Sequence, residues 1–327
     1  MKILWLYRYV KEYNYDHFLH MDIAECMNGL MGIEVKCYGP GLHMSTPRIC
    51  LEEYNADTTL EHLFNKFSFD IIVICTKSRM FFNYRPVNAM GNTTGEIAEG
   101  EWLPKDFMSF SKGNRVVFEE DYHYEANDIW YKNRGVSIIF HRHYCNVVAG
   151  STMTNGVRHV FFPFSIDPKV FYDRGYLRTN AMKSVGSINN QYYLDRKTAN
   201  IALSGAGLLS TERCLDGAYA ENLNRFTCHL STQSLYNILP AKIFEIAACG
   251  SVLFTNANPK SGIDKVFSPG AYVAWKDDFS DIIDKADWLL KDRESQKAIV
   301  HRAKLEVMMR HTHTIRTKEF LEIMKNA

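Results

Sequence analysis

A short segment in the C-terminal half carries groups that could hold a phosphorylated ligand. Residues 237–250 are predicted to form a loop and then a helix over Pro240–Cys249, with Lys242 and Glu245 in its first two turns. The free N–H groups and positive dipole end of such a helix suit a diphosphate, to which Lys242 adds charge. Glu245 can accept hydrogen bonds from both hydroxyls of a ribose. From the pattern alone, an ordinary amphipathic helix whose early glutamate complements the dipole is an equal alternative.

A second set of reactive side chains follows the predicted strand Arg115–Phe118 in the N-terminal half. A carboxylate or an imidazole at the carboxyl end of a strand can remove a proton from a hydroxyl. Asp121 is our first choice for such a base, with Glu120 and His123 as alternatives. A solvated acidic loop that caps the helix predicted over Asn127–Asn133 is the competing interpretation.

Histidines also follow the predicted strand Val136–Phe140, where His141 and His143 flank Arg142. Zinc sites need further ligands at a defined spacing, and the chain has no second cluster of that kind. We therefore expect no metal site and a structural role for these side chains. The eight cysteines contain no C-x-x-C pair, and we expect free, buried thiols.

The composition fits a soluble, cytoplasmic protein of about two domains. The chain has 327 residues, of which 46% are hydrophobic and 23% charged, and its net charge is +1. That charge provides no global attraction to nucleic acid or to an anionic membrane. No apolar stretch reaches the roughly 18 residues of a membrane span, and the apolar N-terminus predicts a strand, so we expect no integral membrane association.

Strands alternate with helices along both halves, which predicts an α/β fold with parallel sheets. Predicted strands are Lys2–Tyr7, Glu34–Cys37, Asp70–Cys75, Arg115–Phe118, Val136–Phe140, His159–Phe162, Phe226–Leu230, Ser251–Thr255 and Ala271–Trp275. Predicted helices include Tyr15–Leu30, Leu60–Phe67, Tyr192–Leu203, Ile282–Leu290, Glu294–Met309 and Thr314–Met324. We divide the chain into an N-terminal domain at 1–163, a linker at 164–180, a second domain at 181–310 and a C-terminal helix at 311–327.

The segment 240–250, Pro-Ala-Lys-Ile-Phe-Glu-Ile-Ala-Ala-Cys-Gly, resembles the donor-site helix of family 1 and family 4 glycosyltransferases. The likeness is greatest to the CgeB-like (spore maturation protein) branch. Three further segments match that family in the same order: residues 164–171 (its linker), residues 185–187 with Tyr193, Arg196 and Lys197 (its glycine turn and Tyr-x-x-Arg), and residues 311–314 (the ending before its last helix).

The resemblance implies a GT-B fold, in which two Rossmann-like domains face each other across a cleft and the C-terminal helix returns to the first domain. The N-terminal domain would hold the acceptor. The C-terminal domain would hold a nucleotide-sugar, expected to be UDP-linked, as a co-substrate without a separate cofactor. Carried over residue by residue, the donor site would consist of Gly186, Ser187, Tyr193, Arg196, Lys197, Asn237, Lys242 and Glu245. The family places a glutamate eight positions before the ribose glutamate, whereas this chain has Asn237 there.

The expected activity is transfer of a hexosyl or pentosyl group from a nucleotide-sugar to a hydroxyl. The acceptor alternatives are a glycan, a small molecule and a hydroxymethylated base in viral DNA. DNA would need a basic surface, for which the candidates are Lys77, Arg79, Arg85, Lys132, Arg134 and Arg142. The competing functions are a non-catalytic module that binds sugar-nucleotides or assembles a coat, and a sugar-nucleotide epimerase of the same fold.

Overall fold

The chain folds into two compact units. The computed structural model describes residues 1–7, 23–40, 42, 48–76, 103–119, 134–151, 156–188, 192–210 and 219–326. The first unit comprises Met1–Phe162 and Thr317–Ala327, and the second comprises Pro163–Arg316. Residues 164–180, which the sequence analysis assigned to a linker, are part of the second unit.

The first unit contains a six-stranded sheet in the order β2-β1-β3-β4-β5-β6, with every neighbouring pair parallel. Its strands are β1 (Lys2–Leu6), β2 (Glu34–Tyr38), β3 (Ile71–Thr76), β4 (Asn114–Glu119), β5 (Val136–His141) and β6 (Arg158–Phe161). Residues 23–28 are helical, as are α1 (Leu60–Lys66) and α2 (Tyr144–Ser151). The strands predicted in this half are confirmed to within one or two residues at each end.

Both faces of this sheet are covered by apolar side chains. Along β1, Ile3 and Trp5 belong to one core cluster, whereas Leu4 and Leu6 belong to the other. Successive side chains of a strand point to opposite faces, so a strand that is buried on both sides must be apolar throughout. This requirement explains the continuous apolar runs that made the strands recognisable in the sequence.

The second unit contains a four-stranded parallel sheet in the order β10-β9-β8-β7. Its strands are β7 (Thr179–Ser184), β8 (Phe226–Leu230), β9 (Val252–Thr255) and β10 (Val273–Ala274). Its helices are α3 (Leu194–Gly205), α4 (Tyr219–Arg225), α5 (Lys242–Ala248), α6 (Ile263–Val266), α7 (Ile282–Lys291) and α8 (Arg293–Arg310), with a 3₁₀ turn at Pro259–Ser261. The predicted α/β architecture with two parallel, Rossmann-like sheets is confirmed.

The final helix, α9 (His313–Lys325), contributes to the core of the first unit. Phe320 is fully buried, and its ring centroid lies 4.9 Å from that of Phe140 and 6.4 Å from that of Trp5. The helix therefore returns to the N-terminal unit, as the family resemblance implied. Within the described ranges, every helix is too short or too polar to cross a lipid bilayer.

The carboxyl ends of β7, β8 and β9 lie along one edge of the second sheet, because the three strands are parallel neighbours. The residues that follow them are Val185–Ser187, Ser231–Gln233 and Asn256–Asn258. In open parallel sheets, ligands bind beyond this edge.

Candidate functional site

The turn after β7 brings a glycine against a buried arginine. Gly186 has a φ of 96°, a conformation that L side chains rarely adopt, and the chain then leads into α3. The Arg196 guanidinium packs directly on this turn, where its Nη1 donates to the Ser187 carbonyl at 3.2 Å. A Cβ at residue 186 would lie 2.9 Å from Arg196 Cζ and closer still to Nη1. A side chain at residue 186 would therefore displace the guanidinium from this position.

The Arg196 side chain is almost completely buried, with 3% of its surface exposed. Burial lowers the pKa of the guanidinium, whereas the nearby Tyr193 and Tyr219 act in the opposite direction. The Tyr193 ring lies under the guanidinium, and the centre of the ring is 4.2 Å from Arg196 Cζ. Among the described residues, no carboxylate forms an ion pair with Arg196. A buried cation normally has a counter-charge, because desolvation of an isolated charge is costly.

Two buried hydroxyl side chains follow β8 at its carboxyl end, and the backbone of one of them contacts this arginine. Ser231 and Thr232 follow the strand and are fully buried. Within the described part of the chain, Ser231 Oγ, Thr232 Oγ1 and Arg196 Nε have no hydrogen-bond partner. Arg196 Nη2 also approaches the Thr232 carbonyl at 3.5 Å. Buried polar groups are nearly always paired, so the two hydroxyls are candidates for contact with a ligand.

A network of amide side chains fixes the loop that follows β8. The Gln233 N–H donates to Asn256 Oδ1 at 3.0 Å, and Asn256 Nδ2 donates to Asp195 Oδ2 at 2.6 Å. Gln233 Nε2 also donates to Asn237 Oδ1 at 3.3 Å, and Asn237 has a φ of 58°. Asn237, which replaces the first glutamate of the family pattern, therefore supports the loop that leads to α5.

Helix α5 begins at Lys242, two residues later than predicted. Ala241 is its N-cap, and the Pro240 carbonyl accepts a hydrogen bond from the Ile243 N–H at 3.2 Å. The prediction that Pro240 lies inside the first turn is therefore wrong, although its fixed φ still leads the chain into the helix. Glu245 falls in the first turn of the observed helix, within the two turns that the sequence predicted.

Glu245 is 4% exposed, and its carboxylate contacts a residue that the sequence analysis did not identify. Tyr219, the first residue of α4, donates its hydroxyl to Glu245 Oε2 at 2.7 Å. Burial raises the pKa of Glu245, while Lys242 and the Tyr219 hydroxyl oppose that rise. Because Tyr219 also acts electrostatically on Arg196, the arginine and the glutamate belong to one neighbourhood.

The predicted donor residues do not all occupy this neighbourhood in the same way. Gly186, Tyr193 and the Ser187 carbonyl each contact Arg196. Glu245 is connected to this group through Tyr219, which donates to the glutamate and acts electrostatically on Arg196. Lys242 is half-buried and acts on Glu245. Lys197 is exposed on α3, next in sequence to the buried Arg196.

Sequence reasoning missed Tyr219, Ser231, Thr232 and Gln233. The position of the last three, directly after a strand whose residues are all apolar or buried, was the available signal. Tyr219 gave no such signal, because its contact with Glu245 joins residues 26 positions apart.

The candidate bases Asp121, Glu120 and His123 lie outside the described residues. Among the described residues, His141 Nε2 lies 2.7 Å from Nδ1 of His159, and the two rings are stacked. His141 thus pairs with a neighbouring strand, and His143 is buried. Within the described ranges, no three side chains of metal-binding type form a cluster.

The cations expected to form one basic surface are separated where they are described. Arg134 precedes β5 and Arg142 follows it, so the two lie at opposite ends of one strand. Arg142 is 2% exposed, and its guanidinium lies 4.5 Å from the centre of the Phe118 ring. These two arginines do not line a common surface, because Arg142 is part of the aromatic core. Lys77, Arg79, Arg85 and Lys132 lie outside the described residues.

Comparisons with known proteins agree with this geometry. Residues 189–322 match a family described as glycosyl transferase-like. No curated protein matches the chain in sequence. The fold resembles HepE from Anabaena in complex with UDP, with a TM-score of 0.68, 11% identity and 100% of both chains covered. A glycosyltransferase from Rickettsia africae has a TM-score of 0.69 and 10% identity, with 99% of this chain and 98% of that chain covered.

A third solved structure is an alpha-glucosyltransferase in complex with UDP-glucose and DNA containing an abasic site. It has a TM-score of 0.64 and 13% identity, with 99% of each chain covered. At such identities these likenesses show the fold, and they extend over almost the whole chain. The family match covers most of the unit that contains Arg196 and Glu245, from residue 189 onward. The chain therefore has the GT-B fold, and residues 189–322 resemble a glycosyltransferase family.

Proposed function

We propose that this protein is a glycosyltransferase that uses a UDP-sugar, whose diphosphate lies beside Arg196 and whose ribose is bound by Glu245. The observation that carries the proposal is the buried Arg196 charge, which has no carboxylate partner among the described residues and packs on the Gly186 turn. A diphosphate would supply the missing counter-charge. Ser231 and Thr232, whose hydroxyls have no partner among the described residues, follow the strand at the same carboxyl edge of the sheet.

Each residue then has a distinct role in transfer. The bond between the anomeric carbon and the diphosphate oxygen breaks, while a bond forms to the acceptor oxygen. Arg196 and Lys242 stabilise the negative charge that develops on the leaving diphosphate. Glu245 fixes the ribose by accepting its hydroxyl hydrogen bonds, which orients the sugar for attack.

The proton of the acceptor hydroxyl passes in this proposal to Asp121, with Glu120 and His123 as alternative bases. Removing a general base usually slows a reaction by about 100-fold or more. Asp121→Asn is expected to show such a loss in transfer rate with unchanged UDP affinity. Normal transfer by the variant would eliminate Asp121 as the base, and Glu120→Gln and His123→Gln would be measured next.

The choice of uridine rests on fold neighbours. HepE was solved with UDP and with UDP-glucose, and the alpha-glucosyltransferase with UDP-glucose. The motifs around Gly186 and residues 240–250 support assignment to the CgeB-like branch. We propose a hydroxyl of a glycan or small molecule as the acceptor, and a hydroxymethylated base in DNA as the alternative.

The test is a thermal-shift and calorimetric screen of the full chain against UDP-, GDP- and ADP-sugars. Selective stabilisation by one UDP-sugar, with slow release of free sugar and UDP, is the expected result. Binding without any turnover in the presence of an acceptor panel would support the non-catalytic module. Conversion of one UDP-sugar into its epimer would instead identify an epimerase.

Arg196→Ala is expected to weaken UDP binding by about 10- to 150-fold, since hydrogen bonds to charged groups contribute roughly 1.5–3 kcal/mol. Calorimetric titration with UDP measures the change. Arg225→Ala is the matched control, because Arg225 is an exposed arginine at the end of α4 in the same unit. Equal UDP affinity of both variants and the unmodified protein would refute the assignment of Arg196.

A further inference from the structure

Tyr219 is in a position to control the carboxylate that the proposed function assigns to the ribose. It begins α4, and its hydroxyl oxygen lies 2.7 Å from Glu245 Oε2. The Phe171 ring packs edge-on against the Tyr219 ring, with centroids 6.1 Å apart, which restricts the tyrosine side chain. The hydroxyl is the donor in this contact, because an ionised carboxylate can only accept.

The groups around Glu245 make this contact important. Lys242 acts from one turn earlier in the same helix, and the Cys249 thiol lies just beyond its end. Tyr219 acts from the neighbouring α4. Among these groups only Lys242 carries a positive charge, and it is partly exposed. An ionised carboxylate that is 4% exposed therefore depends on the neutral Tyr219 donor for much of its local stabilisation.

We propose that Tyr219 is a positioning residue for the donor nucleotide, which holds the Glu245 carboxylate ionised and fixes its orientation. The proposal rests on the role of Glu245 in the proposed function. One Tyr219 hydroxyl uses one of about four acceptor positions of a carboxylate, so two ribose hydroxyls can bind at the same time. Tyr219 supports the ribose contact and does not itself have to contact the nucleotide.

The alternative is that Tyr219 competes with the ribose for Glu245. In that case the hydroxyl would occupy a ribose position, and its removal would strengthen UDP binding. A positioning role predicts the opposite change. Tyr219→Phe removes only the hydroxyl and keeps the ring that packs on Phe171, so the variant separates the two roles without creating a cavity.

The first measurement needs no ligand. Glutamate labelled with ¹³C at its carboxyl carbon is incorporated into the full chain, and the Glu245 signal is assigned with Glu245→Gln. Tyr219→Phe is expected to move the titration of Glu245 to higher pH, because the buried carboxylate loses a hydrogen bond to its ionised form. Tyr176→Phe is the control, since Tyr176 is an exposed tyrosine of the same unit.

The second measurement is UDP affinity as a function of pH. Tyr219→Phe is expected to weaken UDP binding roughly 10-fold at about pH 6 and by less at about pH 8, as the protonated fraction of Glu245 decreases. An unchanged Glu245 titration, or tighter UDP binding by the variant, would overturn the positioning role. If the unmodified protein does not bind UDP, the proposed function is refuted. A shifted Glu245 titration in Tyr219→Phe would in that case still confirm the Tyr219–Glu245 contact.

Discussion

Gly186→Ala is expected to reduce both the stability of the protein and its affinity for UDP. The added Cβ would meet the Arg196 guanidinium at a distance that side-chain atoms do not tolerate, and the backbone would keep a φ of 96°. The guanidinium can move only by leaving a site in which it is 3% exposed. We expect the φ strain to cost about 1–2 kcal/mol of unfolding free energy and the displaced arginine to weaken UDP binding about 10- to 150-fold.

Gly207→Ala separates these two effects. Gly207 also has a positive φ, 72°, in the same unit, but a Cβ there would meet no atom within 4 Å. Gly207→Ala should therefore lower the midpoint of urea unfolding by about as much as Gly186→Ala does, and it should leave UDP affinity unchanged. Should Gly186→Ala bind UDP as tightly as Gly207→Ala, the guanidinium would not be part of the donor site.

Much of the fold was predictable because its strands are buried on both faces. In a run such as Ile71–Cys75, alternate side chains pack into two different cores. A polar residue anywhere in the run would be buried in one of these cores, so the continuous apolar run identifies the strand in the sequence. The site edge was predictable for a related reason. Parallel strands end on the same side, which places Gly186 and residues 231–233 together.

The environment of each charged side chain was not predictable in this way. Arg142 follows a strand just as a ligand-binding residue would, yet the structure places it over Phe118 within the core. Arg196 is equally buried but packs on the Gly186 turn at the carboxyl edge of the second sheet. Arg142 follows a strand and Arg196 lies in the first turn of a helix, and neither position shows what surrounds the guanidinium. The difference lies in which distant segments pack on each side chain, and spacing along the chain does not encode it.

The Tyr219–Glu245 pair shows the same limit. The early glutamate of α5 was identified from helix position and family resemblance. Its burial and its tyrosine partner come from the packing of α4 against α5, two helices separated by β8. The Gly186 turn and the start of α5 can therefore be recognised from the local sequence. The burial and hydrogen-bond partners of the charged side chains depend on tertiary packing and cannot.

Glu245→Gln is expected to change stability and binding in opposite directions. The amide keeps the shape of the side chain and can still accept the Tyr219 hydroxyl. It removes a charge that burial disfavours, so at neutral pH the unfolding free energy should rise by on the order of 1 kcal/mol, with a Tm increase of roughly 2–4 °C. UDP affinity should fall by about 10-fold or more, because the ribose hydroxyls lose a charged acceptor.

The stability gain should depend on pH. The pKa of Glu245 is higher in the folded protein than in the unfolded chain, so the folded state holds its proton more tightly. The resulting stability is fully present below the unfolded pKa and is lost as the pH rises through the folded pKa. The advantage of Glu245→Gln should therefore be small in acid and grow through that window toward neutral pH, as urea unfolding at a series of pH values would measure.

Glu294→Gln is the control for this pH series. Glu294 pairs with Lys297 on the surface of α8, where its side chain is 83% exposed, and such pairs contribute little. The unfolding free energy of the Glu294→Gln variant should equal that of the unmodified protein at every pH. A pH-independent effect of Glu245→Gln, or a loss of stability at neutral pH, would mean that the Glu245 carboxylate is solvated or paired. In that case the Glu245 charge would not lower the stability of the protein, and its role in donor binding would carry no cost in stability.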